Sequence, residues 1–520
     1  MSSAITVTLY GKKTTDISDN LLSMHVEYEL NRIPTAEFVV SDGNFAMREY
    51  PLFDSPDLQI GANLNIQIRY ESTGEKDASI FQGVVTGSCF GVKKGLPTLT
   101  VRVMDPAFRL VQAVKTELFN NVTDKSMIEK ALSGATGVSL KKAAASLTTI
   151  TYDQFVRNQR SAWDFVRSRA GAFGLVIQLE NGAMSILKVD ETTGSKSVEL
   201  GIDEIVGIDL AQNAEELNKV VDINYWEIKK NATASVKKSS FPEIADAVKA
   251  PAATYNFLNL TDKKEAEGVQ TYFTTKDTRE SMSGSLTVPG DASWKLMQKI
   301  TLKSFPKAYN GDHAVSRVVQ ELKYGVWTTK VGIGMSSIYD YLPNSAEDLT
   351  LPNSTELQFG TAMKWEKDPK ALGRIPVKVL AFGTGKYWAF PAQVGAGTKQ
   401  SSYLLPEENE QVLIGFLNGN YSQGFVMTST YLGNNKPPAP FKLDAKSPVG
   451  FLSTSGMKLV FDDSATELEL STSSSNKQAM TKNGGVEVKT NKDFKVTASG
   501  KVEVKASSKM TLKGATIDLN

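Results

Sequence analysis

Cysteine is almost absent from this 520-residue chain, where Cys89 stands alone. An intrachain disulfide framework and any multi-cysteine metal centre are therefore excluded. Cys89 falls in a strand-like stretch and reads as a small buried apolar residue rather than a nucleophile. Histidine is nearly as scarce: His25 and His313 lie far apart, no His-Glu-x-x-His pairing exists, and each reads as a core or surface histidine. Net charge is missing too. Lys+Arg number 58 and Asp+Glu 57, leaving +1, so the chain as a whole is not steered toward nucleic acid or anionic membrane. No stretch approaches the roughly 18 apolar residues that cross a bilayer. The opening MSSAITVTLYGKK carries no basic-then-apolar leader, and the expectation is a protein made in the cytoplasm.

What is present is ordinary globular material, with 41% hydrophobic and 22% charged residues. The length suggests about three or four units. Period-two alternation dominates the first part. Ile5, Val7 and Leu9 alternate with Thr6 and Thr8; Leu64, Ile66 and Ile68 with Asn65, Gln67 and Arg69; Leu99, Val101 and Val103 with Thr100 and Arg102. Such strands bury one face and wet the other, as in antiparallel sheets and barrels. Two helices interrupt them. Thr123 or Asp124 caps one carrying Met127, Ile128, Ala131 and Leu132, and Gly134 ends it; Ser161 caps another carrying Trp163, Phe165 and Val166. Strands are expected from Leu175 to about Gly334, broken by a polar stretch from Ala232 to Ala253 that suits a loop or a helix. Ser345 to Thr355 reads as a domain boundary.

Residues 357–435 form a compact β-unit. Ile375, Val377 and Val379 alternate with Arg374, Pro376 and Lys378, and the apolar run Val412 to Leu417 meets an Asn418-Gly419-Asn420 turn before a strand from Gly424. The pattern predicts a hairpin in a small closed barrel. A proline-rich linker over 436–455 follows.

The last segment, 456–520, carries an internal repeat. VEVKTNKD, FKVTASGK, VEVKASSK and MTLKGATI run from Val486 to Ile517, each opening apolar–polar–apolar. The apolar set is Val486, Val488, Phe494, Val496, Val502, Val504, Met510 and Leu512. Two apolar side chains per octad recover only about 3–6 kcal/mol, whereas ordering each residue costs roughly 1–2 kcal/mol. Unpaired edges would also invite aggregation. Several copies wound around one axis resolve both problems, so the repeat asks for an oligomer rather than a polar, disordered tail. Eight lysines against Glu487, Glu503, Asp493 and Asp518 after residue 481 read as a solvated outer face.

Here the residues resemble a known family. Leu372-Gly373-Arg374-Ile375-Pro376-Val377-Lys378-Val379, Tyr387-Trp388-Ala389-Phe390-Pro391 and Leu405 to Asn420 resemble the oligonucleotide/oligosaccharide-binding (OB) barrel of VgrG-type spike proteins. Asn409 stands where that family's Gly-Asp pair would begin. Asn31-Arg32-Ile33-Pro34 with Asp42-Gly43, Gly83 to Gly87, Ser161 to Phe165 and Trp327-Thr328-Thr329 resemble motifs of its hub, in the expected order.

The resemblance implies a mainly β fold. A hub of two β-barrels with helical inserts spans 1–345, then come the OB barrel and, in a trimer, a triple-stranded β-helix. It implies a homotrimer docked on a hexameric tail tube protein and baseplate proteins. A PAAR-repeat tip protein would sit against Ile517, Leu519 and Asn520. Effector cargo and a target cell envelope to puncture also follow, with no specific nucleic acid and no cofactor. Of three machines, an extracellular contractile particle is favoured over a type VI secretion system or a contractile phage tail. No enzyme is expected: about twenty residues separate Leu432 from Met457, too few for a domain. Glu407/Glu408 and Asp462/Asp463 read as turn residues, and Gly383-Thr384-Gly385-Lys386 is too short for a phosphate loop. The remaining rival is a nucleic-acid- or glycan-binding barrel using Trp388, Tyr387, Phe390, Arg374 and Lys378.

Overall fold

The computed structural model describes residues 5–518 except 12–13, 72–76, 94, 216, 229, 231, 239–242, 258–259, 261, 335–356, 398, 434 and 473–475. Leu519, Asn520 and the boundary read at Ser345 to Thr355 lie outside the described residues. Among the described residues are 31 strands and four α-helices, so the fold is mainly β. The chain divides into Met1–Thr430 and Tyr431–Asn520.

In the first unit the alternating segments pair as their apolar residues require. Val7 lies opposite Ile68 and Leu9 opposite Ile66; Phe38 faces Val101 and Val40 faces Leu99. These side chains share one buried core. A second core gathers Val198, Leu286, Ile300, Leu302, Val315, Val331 and Ile333. One 13-stranded sheet serves both. Its order is Gly207–Gln212, Met282–Pro289, Val326–Ile333, Gly311–Lys323, Leu21–Glu29, Thr35–Ser41, Leu96–Met104, Ala78–Lys93, Asn63–Tyr70, Ile5–Tyr10 and Thr14–Asp16. Lys299–Lys303 joins beside Gly311–Lys323 and carries Ser195–Glu199. The two halves of the hub are thus stitched together where Gly311–Lys323 meets Leu21–Glu29.

The two predicted helices form as read. α1 (Asp124–Leu132) is capped by Thr123, whose Oγ1 accepts from Ser126 N–H. α2 (Ala162–Gly171) is capped by Ser161 in the same way. Both bury their apolar faces in a third core, which is crossed by an ion pair from Arg169 Nε to Asp124 Oδ1 at 2.5 Å.

Three expectations are corrected. The stretch from Ala232 to Ala253 is neither a plain loop nor one helix. It holds strand Ala232–Lys238, the short helix α3 (Glu243–Ala247) and the start of strand Ala252–Phe257, both strands pairing with Val220–Glu227. The longest helix, α4 (Lys263–Glu280), then lies over this sheet, where only strands were expected. Its apolar stripe, Ala266, Val269 and Tyr272, is narrow within a polar sequence, and the period of the helix is easily missed. Cys89 is exposed rather than buried. Its strand stays paired with Leu96–Met104, but a register shift between Val85 and Gly87 sets Cys89 opposite Thr100, on the face away from Leu99 and Val101.

Gln358–Ala362, Ile375–Val379, Tyr387–Pro391, Gly424–Ser429 and Gln411–Phe416 close into a small barrel around Val377, Tyr387, Ala389, Val412 and Ile414. The Asn-Gly turn joins the last two of these strands in sequence, with Gly419 at φ 74°.

The second unit opens with a five-stranded antiparallel meander: Val449–Leu452, Lys458–Asp462, Glu467–Ser471, Lys477–Met480 and Val486–Lys489. Beyond it no further strand forms among the described residues, and the chain bends at 491–492, 499–500, 507–508 and 515. These bends fall at the sixth position of every octad, and at the seventh in the first three.

Candidate functional site

The motif residues of the hub do structural work. Asn31 joins the strand Leu21–Glu29 to Val176–Glu180, its N–H donating to Ile177 O and its Oδ1 accepting from Ile177 N–H, each at 2.8 Å. The Asp42 carboxylate accepts from Leu52 and Phe53 N–H at 3.0 and 2.7 Å and so shapes the loop after it. Trp327 is buried and donates from Nε1 to Gln320 Oε1 at 2.8 Å. Gly83 is required by close approach, since a Cβ there would lie 2.4 Å from Met104 O.

Within the first unit the barrel is joined to the hub by side chains far apart in sequence. Gln154 Nε2 donates to Trp388 O and Ser422 O at 2.8 and 3.0 Å, while its Oε1 accepts from Trp388 N–H at 2.8 Å. Val156 enters the barrel core, and Leu118 packs against it. Arg374 is buried; it binds Asp368 of the barrel through Nε and Nη2 and Asp153 of the hub through Nη2. Burial by itself would raise the Asp368 carboxyl. The Arg374 side chain and the Lys370 and Arg374 N–H groups instead hold it well below the usual carboxylate range. Sequence reading placed Arg374 on the barrel but passed over Asp153 and Gln154. Nothing in their local sequence announces a partner more than 200 residues away.

Three of the residues that a nucleic-acid-binding barrel would use, Arg374, Tyr387 and Phe390, are engaged within the protein. Tyr387 is buried and donates from its hydroxyl to Tyr421 O at 2.7 Å. Phe390 stacks on Phe425 with centroids 5.3 Å apart. Asn409, at φ 71°, takes the left-handed conformation that Asn tolerates where the family carries glycine. Asp462 accepts from Ser464 and Ala465 N–H and shapes a turn. A cleft of about 960 Å³ in the hub is lined by charges of both signs, among them Lys188, Lys264 and Lys299 with Asp190, Glu267 and Asp312.

The second unit presents an apolar sheet face. Register places Val449, Phe461, Leu468, Met480 and Val486 in one row and Phe451, Leu459, Leu470, Gln478 and Val488 in the next. The opposite face carries Lys458–Glu469 and Lys477–Glu467 ion pairs at 3.0 and 2.6 Å. The apolar rows stay open: Phe451 is 59% exposed, Val486 64% and Val488 52%. Phe494, Val496, Val502, Val504, Met510, Leu512 and Ile517 are exposed as well, and so are not brought into a core. From 493 to 518 no backbone hydrogen bond is made among the described residues. The Val449–Met480 part of this face was missed in the sequence, although its apolar–x–apolar triplets signal it as the octads do.

Residues 2–323 match the family described as the Alg8 N-terminal domain. Residues 360–431 match the type VI secretion system/phage-baseplate injector OB domain. No curated protein matches the sequence. A chain of the Francisella PdpA-VgrG complex superposes with a TM-score of 0.61 at 8% identity, covering 94% of this chain and 80% of that one. An E. coli component of the type VI secretion system, described as similar to the T4 bacteriophage tail proteins gp27 and gp5, gives 0.50 at 11% identity, covering 79% and 97%. The 43 kDa tail protein of prophage MuSo2 from Shewanella oneidensis gives 0.51 at 12% identity, covering 64% and 98%. By the match over 2–323 the chain belongs to the Alg8 N-terminal domain family, and its fold is that of the VgrG-type spike and phage tail proteins.

Proposed function

We propose that this chain is the spike and hub protein of a contractile, phage-tail-like injection machine and works as a homotrimer. One observation carries the reading. After the paired strand Val486–Lys489 the octad segments bend once per repeat, with no backbone hydrogen bond from 493 to 518 among the described residues and an open apolar column. Backbone groups and apolar side chains in that state need a partner. Copies of the same chain supply one that repeats in step, and three of them enclose the column as a β-helical needle.

The hub then sits on a hexameric tail tube among baseplate proteins, and a tip protein docks against Ile517. Leu519 and Asn520 extend that contact. Effector cargo rides on the assembly, as the pairing of PdpA with VgrG in the Francisella complex suggests. The role is mechanical, without catalysis: a thrust generated elsewhere passes from hub to barrel to needle and through the target envelope. The extracellular particle is the favoured machine, with release from the producing cell; a type VI secretion system or phage tail is the alternative.

Light scattering on the full chain after size exclusion tests the trimer. A mass of three times 56.6 kDa that survives dilution is expected. A stable monomer overturns the reading.

A further inference from the structure

The cleft of about 960 Å³ in the hub lies between α4 and the strand Gly311–Lys323, and two of its features take no part in the contacts described above. The first is a strand edge. Val326–Ile333 runs beside Gly311–Lys323 only as far as the pair Val315–Ile333, while Lys299–Lys303 pairs with Gly311–Ala314. Val315 turns both its polar backbone groups to the Lys299–Lys303 side: its N–H donates to Gln298 O and its carbonyl accepts from Met297 N–H. Hydrogen bonding alternates along an antiparallel pair, so His313 and Gly311 turn to that side too. The N–H and C=O of Asp312 and Ala314 therefore turn the other way. Among the described residues no strand pairs with them there, and both residues line the cleft. An open edge of this kind takes up a further strand.

The second feature is an uneven charge. Of the acidic lining residues, Asp312 already holds Lys299 at 2.9 Å, and Glu267 holds Lys263 at 3.3 Å. Setting those pairs aside leaves Lys188, Lys238 and Lys264 against Asp190. Ser146 adds a buried hydroxyl that has no hydrogen-bond partner among the described residues. On the α4 wall the Thr271 and Thr278 hydroxyls donate to Glu267 O and Thr274 O at 2.8 Å, so neither has a proton left to donate to a ligand.

We propose that this cleft binds an extended, acidic peptide segment of a partner protein. Its backbone pairs with Asp312 and Ala314, and its carboxylates meet Lys188, Lys238 and Lys264. A strand edge asks for N–H and C=O groups in alternation, which a polypeptide supplies and a polynucleotide does not. The lysines then select carboxylates, because charge-assisted hydrogen bonds are the strong ones. The volume lies in the range of pockets that enclose a ligand and suits a short segment rather than a folded domain. The proposal stands on the hub alone and does not depend on the trimer reading.

Fluorescence anisotropy of the full chain with a labelled peptide of alternating Glu and Val tests it. Saturable binding of one peptide per chain is expected, with no binding of the Lys and Val counterpart. K188E/K264E should weaken binding about tenfold. Both lysines are exposed, so the variant should keep its melting temperature. Methylating alternate backbone nitrogens of the peptide should also abolish binding while leaving the protein untouched. Undetectable binding by the wild type overturns the proposal. Binding that emerges only when residues 335–356 are replaced by a Gly-Ser linker overturns it in favour of the chain's own segment. Equal binding of the Lys and Val peptide, undiminished binding by K188E/K264E, or indifference to methylation overturns it as well. Displacement of the peptide by an oligothymidylate of equal affinity makes the cleft a general polyanion site and overturns the peptide assignment. A monomeric wild type that binds the peptide sinks only the trimer reading and supports this one.

Discussion

Arg374 of the small barrel places Nη2 3.2 Å from an Asp153 carboxylate oxygen of the hub while holding Asp368 at 2.9 Å. The guanidinium is buried and is paired both with Asp368 on its own barrel and with Asp153 across on the hub. Removing one partner of a buried pair leaves the other charge stranded.

Arg374→Ala should therefore lower unfolding free energy by about 3–5 kcal/mol. Asp153→Ala, at the more exposed end of the network, should cost about 1 kcal/mol. Denaturant titration of both variants checks the order, and equal effects would contradict the arrangement.

Gln154 satisfies three polar backbone groups at the same joint. Gln154→Ala should cost about 2–3 kcal/mol. Gln154→Glu should cost at least as much at neutral pH, since a carboxylate then faces two carbonyl oxygens. Its deficit should shrink on acidification, because only the protonated acid can donate, which raises its pKa in the folded state. Thermal melts of Gln154→Glu from pH 7 to pH 5 give the sign.

Glu27 on the outer face of the hub sheet is held at a pKa of about 2, by its contact with His25 first and then, against the opposing effect of burial, by Arg317. A carboxyl lowered in the folded state contributes stability above its unfolded pKa of about 4.3 that is lost as pH falls toward 2. Wild type should thus lose on the order of 1–2 kcal/mol more than Glu27→Gln between pH 5 and pH 2. Parallel slopes for the two proteins would count against the pairing.

In the proposed trimer Val496→Asp and Val504→Asp should each weaken or abolish assembly, since three carboxylates would be buried at one level. Ser499→Asp, at a bend, should leave it intact. Trimer melting temperature and native mass decide, and an unchanged melt for either valine variant would reverse the inward assignment.

Much of this organisation is local and so was legible. The alternation around Val7, Ile66 and Val101 announces strands because a pleated chain sends successive side chains to opposite faces. Thr123 and Ser161 announce helix starts because a side-chain oxygen beside free N–H groups does so anywhere. The octads are legible because eight-residue spacing is visible without a fold.

What misled is equally physical. α4 hides a narrow apolar stripe in a polar sequence, and the paired strands around Ala232–Ala253 draw their stability from neighbours rather than from their own residues. Cys89 alternates in step with Val85 as a buried residue would, but the register shift between Val85 and Gly87 turns it to the outer face.

By itself, the sequence determined the strand-rich hub, the small barrel with its Asn-Gly hairpin and the repeat that asks for further copies, because each is a property of neighbouring residues and their period. Only the tertiary structure decided that one sheet serves two cores, that Gln154 and Arg374 join barrel to hub, and that the apolar face reaches back to Val449. Those facts depend on which distant segments lie side by side, and no local propensity encodes that. Burial and pairing are set by the whole chain at once.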